Sequence, residues 1–291
     1  RIYDDLVAGK IERKTTDEPA QMEEEREEIE VNIGSLGVCE IILNRPDKHN
    51  AMNRRMIDEL EEAGQYLAQL DSARVVFLQA NGATFCAGGD LNWMKDQEKK
   101  SKEGKLVEAR ALAKMLATMN TLPMPLISIV SGSAFGGGLG LISVSDTVIA
   151  SQNSKFGLTE TRLGLIPATI GPFVIKKLGE SFGRNVFFSG KIFDANLAYK
   201  MGLVHYICAD KEEIDLCKSQ EIDNILKCSP EAIKKSKELL KNLTGEKAES
   251  FFELTTNILA NSWDSKEGKQ GIQAFFEKRP APWVKKGDNN G

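Results

Sequence analysis

Apolar and polar residues alternate with two different periods along most of the chain. Short apolar runs predict four β-strands, at residues 38–43, 73–78, 125–131 and 147–150. Residues 55–69 carry the 3.6-residue apolar period of an amphipathic helix. Strands that alternate with helical segments are typical of a parallel sheet with helical crossover connections, so the pattern predicts an α/β fold.

The two ends of the chain differ from this middle part. The N-terminal residues are dominated by charged side chains without an apolar stripe. Toward the C-terminus the pattern is almost entirely helical, and Ser229 followed by Pro230 is a typical helix start. We therefore divide the chain into a charged N-terminal extension (1–30), an α/β core (31–225) and a helical C-terminal region (226–291).

Composition narrows the class of protein. The 291 residues are 41% hydrophobic, enough for one large core, and the net charge of −4 gives no electrostatic basis for binding nucleic acid. Five cysteines are scattered without the spacing of metal ligands, so we expect free thiols, a reducing compartment and no metal site. No apolar run approaches the roughly 20 residues of a membrane-spanning helix. We therefore expect neither a membrane nor a nucleic-acid partner.

Two glycine-rich segments each follow a predicted strand. The first is Cys-Ala-Gly-Gly-Asp at residues 86–90, and the second, residues 133–141, contains the glycine triplet 136–138. Consecutive glycines have little packing value and cost backbone entropy in a regular element, so they suit close approach of a ligand to free N–H groups. Two such junctions can hold one carbonyl oxygen from two sides, as an oxyanion hole does. A tight turn without a ligand is the alternative for either segment alone.

Six segments, taken together in their order and spacing, resemble the enoyl-CoA hydratase/isomerase (crotonase) superfamily. They are residues 42–52, 85–90, 132–138, 156–160, 188–195 and 267–279. The resemblance implies a crotonase-like spiral of ββα repeats with a helical C-terminal trimerisation region. It also implies an acyl-CoA substrate, no separate cofactor because coenzyme A is part of that substrate, and a homotrimer or homohexamer. The implied compartment is the mitochondrial matrix for a eukaryotic chain and the cytoplasm for a bacterial one.

The resemblance further implies which residues do the chemistry. The backbone N–H groups of Ala87 and Gly137 correspond to the two oxyanion donors, and Glu160 corresponds to one catalytic glutamate. Glu160 is flanked by apolar residues, which suits a carboxylate that exchanges a proton near neutral pH. An ion pair with Arg162 is the structural alternative for this carboxylate.

Other positions are implied to bind coenzyme A or the acyl group. Lys48 corresponds to a basic group near the adenine and phosphates, while Phe275 and Lys278 correspond to an element that reaches a neighbouring subunit's coenzyme A. The implied binding residues are Lys48, Ala51, Gly88, Asp90, Leu91, Gly136, Gly140, Phe275 and Lys278. The lysines among them are equally compatible with a solvated surface.

Gly140 stands where two-glutamate hydratases of the family carry their second acid. Glycine supplies no proton, so this position by itself favours a Δ3,Δ2-enoyl-CoA isomerase, in which one glutamate shuttles a proton. Residues 163–174, however, resemble a branch of methylglutaconyl-CoA hydratases that also has glycine here and whose substrate brings its own carboxylate. We therefore predict a methylglutaconyl-CoA hydratase-like lyase of leucine degradation, with the isomerase as the alternative.

Two further alternatives carry less weight. A relative in the methylglutaconyl-CoA hydratase group binds AU-rich RNA, and residues 95–105 are the lysine-rich candidate for such a role here. Acidic residues dilute these lysines, and the segment contains no aromatic residue for base stacking. A catalytically inactive family member is the other alternative, and the intact Glu160, Ala87 and Gly137 argue against it.

Overall fold

Strands and helices alternate along the chain in a computed structural model that describes residues 27–244 and 252–283. The strands are β1 (Ile29–Ile33), β2 (Val38–Leu43), β3 (Val75–Ala80), β4 (Leu126–Val130), β5 (Ala134–Phe135), β6 (Thr147–Ser151), β7 (Lys155–Gly157), β8 (Ile192–Asp194) and β9 (Tyr206–Cys208). The α-helices are α1 (Arg54–Gln69), α2 (Leu91–Gln97), α3 (Lys102–Asn120), α4 (Gly137–Ser143), α5 (Gly171–Ser189), α6 (Ala195–Lys200), α7 (Lys211–Leu226), α8 (Pro230–Leu243), α9 (Phe252–Asp264) and α10 (Lys266–Phe276). Short 3-10 turns lie at Ser35–Gly37, Pro46–Lys48 and Glu160–Leu163.

The strands form two sheets. In the larger sheet the order is β1-β2-β3-β4-β6-β9, with β1 antiparallel to β2 and every other neighbour parallel. The smaller sheet contains β5, β7 and β8, in which β5 runs parallel and β8 antiparallel to β7. Helix α1 connects β2 to β3, and α2 and α3 connect β3 to β4, as parallel strands require. The predicted α/β fold is confirmed.

The central strands are apolar on both sides because helices cover both faces of the larger sheet. In β3, Val75 and Phe77 belong to an apolar cluster with Ile214 of α7. Val76 and Leu78 belong to the main core on the opposite face, which includes side chains of α1 and α3. A parallel sheet covered in this way produces continuous apolar runs in the sequence, which explains why these strands could be recognised there.

Element boundaries differ slightly from the sequence predictions. The strand predicted at residues 73–78 begins later, as β3, because the Arg74 N–H still donates to the carbonyl oxygen of Gly37 in the preceding turn at 2.7 Å. Strand β1 begins at Ile29, so the sheet includes the last two residues of the predicted N-terminal extension. Residues 1–26 of that extension lie outside the described residues.

The C-terminal helices fold back over the core of their own chain. Helix α9 packs along α3, and α10 packs against α9 and the turn Glu160–Leu163. An ion pair between Lys105 and Asp264 joins α3 to α9, and the Lys105 side chain is only 2% exposed. Leu165 and Trp263 belong to the apolar cluster under these helices. The predicted helical C-terminal region is confirmed, and its role in trimer assembly stays a prediction.

One buried amide fixes the loop between β2 and α1. Asn50 is fully buried, and its Oδ1 accepts a hydrogen bond from the Arg45 N–H at 2.7 Å. Its Nδ2 donates to the carbonyl oxygens of Asn81 and Thr84, both at 2.8 Å. These bonds tie the loop to the exit of β3, just before the first glycine-rich junction. Buried polar groups without partners are costly, so this amide is a strong constraint on the loop.

We expect Asn50→Ala to lower the free energy of unfolding by about 2–4 kcal/mol, because it removes a fully buried amide and the three hydrogen bonds that this amide makes to the backbone. Urea denaturation measures the change. Asp47→Ala is the control, since Asp47 lies in the same loop with a 75% exposed side chain and should change stability by less than about 0.5 kcal/mol. Equal effects of the two substitutions would contradict this account.

Candidate active site

A cleft of about 620 Å³ opens where the two glycine-rich junctions face the turn Glu160–Leu163 and the C-terminal helices. Most of its lining is apolar and includes Met52, Met94, Leu112, Leu165, Ile170 and Leu259. Glu160 is the one ionisable side chain among the lining residues, so any acid–base chemistry in the cleft centres on it.

The two junctions are joined by backbone hydrogen bonds. The Cys86 N–H donates to the carbonyl oxygen of Ser133 at 3.1 Å, and the Phe135 N–H donates to that of Cys86 at 2.9 Å. A Cβ atom on Gly138 would lie 2.8 Å from the Cys86 carbonyl oxygen. Any side chain at residue 138 would therefore push the two junctions apart, and glycine is required there for packing.

The Ala87 amide is not available to a ligand. Its N–H donates to the carbonyl oxygen of His49 at 3.0 Å, and Ala87 is absent from the cleft lining. A backbone amide has a single donor, which is already used here. The sequence-based assignment of Ala87 as an oxyanion donor therefore does not fit the geometry, and the amide two residues later does.

Gly89 presents the free amide of the first junction. Met52 pairs with the neighbours of Gly89: its N–H donates to the Gly88 carbonyl oxygen at 2.7 Å, and its own carbonyl oxygen accepts from the Asp90 N–H at 2.8 Å. Backbone groups alternate in direction along an extended segment, so the Gly89 N–H points away from Met52. Gly89 lines the cleft, and within the described part of the chain its N–H has no acceptor.

Gly137 presents the corresponding amide of the second junction. It is the first residue of α4, where N–H groups have no acceptor within the helix, and it lines the cleft as predicted. Gly136 before it has φ 49° and ψ −119°, a conformation that residues with a side chain rarely adopt. A Cβ atom on Gly136 would lie 3.1 Å from Glu160 Oε1. Gly136 thus permits the carboxylate to approach the backbone beside Gly137.

The Glu160 carboxylate is buried at its tip, and one of its two oxygens has no partner in the described residues. This oxygen is Oε2, and no ion pair with Arg162 forms among those residues, so the structural alternative is excluded. Burial raises the pKa of Glu160 from 4.5 to about 7, only partly offset by a hydrogen bond from its own backbone N–H. A carboxyl group with this pKa can both accept and donate a proton at neutral pH.

Gly140 lies behind an apolar side chain instead of on the cleft surface. A Cβ atom on Gly140 would lie 2.5 Å from Cγ2 of Ile170, and Ile170 itself lines the cleft. The space that a second acid would enter is therefore filled by isoleucine. This corrects the expectation that Gly140 contacts a ligand.

Asp90 is engaged in structural contacts. Its Oδ1 accepts hydrogen bonds from the N–H groups of Asn92 and Trp93 at 2.9 and 3.1 Å and so caps α2. Its Oδ2 lies 3.2 Å from the Arg45 guanidinium, which also pairs with Glu28. Asp90 therefore fixes the start of α2 and leaves no oxygen free for a ligand.

The other predicted binding residues lie outside the cleft lining. They are Lys48, Ala51, Gly88, Leu91, Phe275 and Lys278. Phe275 is 48% exposed and Lys278 is exposed beside it, so this pair lies on the surface of its own chain. Their contacts with coenzyme A stay predictions.

Two tryptophans that were not among the predicted site residues line the cleft. Trp93 and Trp263 meet edge-to-face, with ring centroids 5.7 Å apart and planes at 82°. Trp93 follows the Asp90 cap by three residues, and this closeness to the first glycine-rich junction could have pointed to it in the sequence. Trp263 comes from α9, far along the chain, and its local sequence gives no such signal.

Two lysines of the lysine-rich segment 95–105 form ion pairs within the chain. Lys100 Nζ lies 2.5 Å from Glu108 Oε1, and Lys105 pairs with Asp264. These lysines are therefore used to hold the chain together, which adds to the argument against an RNA-binding surface.

Further expectations concern cysteines, metals and membranes. The five cysteines are free thiols, and those at 39, 86 and 208 are buried. Within residues 27–244 and 252–283, no group of three or more His, Cys, Asp or Glu side chains is arranged to hold a metal ion. No helix in the same ranges is long and apolar enough to cross a membrane.

Comparison with known proteins places the chain in a family. The enoyl-CoA hydratase/isomerase family model matches residues 34–286. A protein of Thermus thermophilus, named for an inferred enoyl-CoA hydratase activity, is 30% identical over 254 residues, which are 87% of this chain and 98% of that protein. Human enoyl-CoA hydratase domain-containing protein 2, mitochondrial, is 29% identical over 255 residues, or 86% of each chain. A crystal structure of an enoyl-CoA hydratase from Shewanella pealeana matches with a TM-score of 0.73 at 35% identity, covering 89% of this chain and 97% of that one. The chain therefore belongs to the enoyl-CoA hydratase/isomerase family and has its crotonase fold.

Proposed function

We propose that the chain is an enoyl-CoA hydratase that works with one protein carboxylate and takes acyl groups that carry a second, as 3-methylglutaconyl-CoA does. One observation carries the proposal. Ile170 fills the space beside Gly140 where a second protein acid would stand, while Oε2 of Glu160 has no partner within the described residues. A second polar group for hydration then has to come from the substrate.

The thioester oxygen is held by the amides of Gly89 and Gly137. Both N–H groups are free at the cleft, and they come from two junctions joined by backbone hydrogen bonds. Negative charge develops on this oxygen when the thioester becomes an enolate, so fixed donors lower the barrier. Removing one donor from such a site typically costs roughly 10²–10³ in rate.

Glu160 transfers the proton. Hydration forms a bond from the water oxygen to Cβ and one from a proton to Cα. Protonated Glu160 supplies the Cα proton and recovers one from the water, so it ends each cycle in its starting state. Its pKa of about 7 suits both directions of transfer.

A substrate carboxylate is compatible with this cleft although its lining residues include no lysine or arginine. An anion in an apolar cleft needs a hydrogen-bond donor, and protonated Glu160 is one. Two carboxyl groups that share one proton avoid the repulsion of two negative charges. The substrate carboxylate then orients the water that attacks Cβ.

Δ3,Δ2-enoyl-CoA isomerisation is the second candidate, and the apolar lining without a cation favours it. In that reaction Glu160 takes a proton from C2 of a 3-enoyl thioester and returns it at C4. A hydrocarbon chain needs no polar partner in the cleft, and no water has to be oriented. The same two amides stabilise the intermediate enolate.

Turnover of crotonyl-CoA, 3-hexenoyl-CoA and 3-methylglutaconyl-CoA by the purified protein separates the two candidates. We expect hydration of 3-methylglutaconyl-CoA to be fastest, and Glu160→Gln to lower it at least 10²-fold, because the proton carrier is lost. Isomerisation of 3-hexenoyl-CoA as the fastest reaction would favour the second candidate. Crotonyl-CoA hydrated as fast as 3-methylglutaconyl-CoA would contradict the role of the substrate carboxylate, and an unaffected Glu160→Gln would contradict the role of Glu160.

Reintroducing the second acid tests the role of Ile170. We expect Gly140→Glu alone to destabilise the protein by about 1–3 kcal/mol, since its Cβ meets Ile170 at 2.5 Å. In Gly140→Glu/Ile170→Ala the clash is relieved, and crotonyl-CoA hydration should rise at least tenfold above that of the Ile170→Ala control. Rates for the double variant no higher than for the control would show that a second carboxylate is not what this cleft lacks.

The pKa of Glu160 also predicts how stability depends on pH. A pKa raised from 4.5 to about 7 means that the folded state binds the proton more tightly, so this group lowers stability as pH rises through that window. At pH 8 we expect Glu160→Gln to be more stable than the unsubstituted protein by about 3 kcal/mol, and at pH 4 this advantage should vanish. Thermal or urea unfolding at both pH values measures it. Glu62→Gln, at an exposed side chain, is the control for the chemical change itself, and a difference for Glu160→Gln that stays constant between the two pH values would contradict the pKa assignment.

A further inference from the structure

We infer that Glu108 is a positioning residue that fixes the indole of Trp93, and that the Trp93–Trp263 pair determines which acyl chains the cleft accepts. The inference rests on the proposed function in taking an acyl-CoA as the ligand. It does not depend on whether the reaction is hydration or isomerisation.

Glu108 is a buried carboxylate with several partners. It lies on α3 and is 6% exposed. Its Oε2 accepts a hydrogen bond from Trp93 Nε1 at 2.8 Å, and its Oε1 lies 2.5 Å from Lys100 Nζ and 3.5 Å from the Arg54 guanidinium. Burial by itself would raise the pKa of Glu108, but the hydrogen bonds from Lys100 and Trp93 and the two positive charges lower it, so the group stays ionised.

The position of Glu108 indicates what this arrangement is for. Glu108 does not line the cleft, whereas Trp93, to which it is bonded, does. A buried ion pair often adds little net stability over apolar packing, and its best-supported use is to select one arrangement of the surrounding groups. Here the selected arrangement is the orientation of the Trp93 ring.

The Trp93 ring is held by a hydrogen bond at one edge and lies next to Gly89 at the other. Its Nε1 is bonded to Glu108, and its Cζ3 lies 3.5 Å from the position that a Cβ atom on Gly89 would take. Gly89 carries the amide that we assign to the thioester oxygen. The indole therefore stands beside the point where the acyl chain leaves the thioester, and any rotation of the ring changes the room for that chain.

Trp263 completes this wall from the other end of the chain. Its ring meets Trp93 edge-to-face, and the following residue, Asp264, pairs with the buried Lys105 of α3. Helix α3 thus holds both tryptophans, through Glu108 on one side and Lys105 on the other. Two rings fixed in this way limit the width of the cleft next to Gly89.

The test compares the binding of two saturated thioesters that cannot turn over, butanoyl-CoA and decanoyl-CoA. Titration calorimetry gives the ratio of their Kd values for the unsubstituted protein, Glu108→Ala, Glu108→Gln, Trp93→Phe and Trp263→Ala. Tryptophan emission of each variant reports the surroundings of the indoles. Lys114→Met is the matched control. Lys114 lies on α3 like Glu108, and the substitution removes its ion pair with Glu61 of α1, which involves neither tryptophan.

We expect Trp263→Ala to shift the ratio about tenfold toward decanoyl-CoA, because it opens the wall. Glu108→Ala and Trp93→Phe, which both remove the hydrogen bond to Nε1, should shift it about three- to tenfold in the same direction. Glu108→Ala should also move the tryptophan emission to longer wavelength. Glu108→Gln keeps an oxygen acceptor for Trp93 and should stay within twofold of the unsubstituted protein, as should Lys114→Met.

Ratios within twofold of the unsubstituted protein for both Glu108→Ala and Trp93→Phe would overturn the inference. Should Glu108→Ala not fold, Trp93→Phe decides the matter alone, since it keeps an aromatic ring in the core. The expected shift in the Kd ratio for Glu108→Ala and Trp93→Phe, together with unchanged turnover by Glu160→Gln, would contradict the proposed function but would support the role of the tryptophan pair. Failure of the unsubstituted protein to bind either thioester would overturn both.

Discussion

The close approach of two glycine-rich strand exits is the constraint on which the site depends. Backbone hydrogen bonds join Cys86 to the segment 133–135, and Gly138 leaves the room that this close approach needs. Backbone contacts of this kind hold the amides of Gly89 and Gly137 in place without using any side chain as a ligand group. Side chains of the cleft lining can therefore change while these two amides stay in place.

The same apolar lining serves two purposes that oppose each other. It buries the carboxylate of Glu160 and so raises the pKa of that group, which gives the carboxyl group its range of chemistry near neutral pH. The same burial means that the ionised form of Glu160 destabilises the folded state. The apolar cores on both faces of the sheet supply the stability that offsets this loss.

Sequence predicted the fold well because continuous apolar strands and intervening helices follow from a sheet that is buried on both sides. It located Glu160 and both glycine-rich junctions, but not which amide of the first junction is free. The choice between Ala87 and Gly89 depends on the direction of each N–H, which is set by pairing with a distant segment. The filling of the space beside Gly140 by Ile170 likewise depends on packing between residues that are far apart in sequence. Such contacts carry no local signal.

Completion of the cleft by α9 has a consequence for synthesis of the protein. Glu160 is the last of the three groups to be synthesised, after Gly89 and Gly137, and it leaves the ribosome about a hundred residues before Trp263 does. At about 5–20 residues per second, the nascent chain carries an open, apolar half-site for roughly 5–20 s. During that interval the apolar half of the cleft lacks Leu259 and Trp263, so the wall that completes the surroundings of Glu160 is added only when α9 has been synthesised.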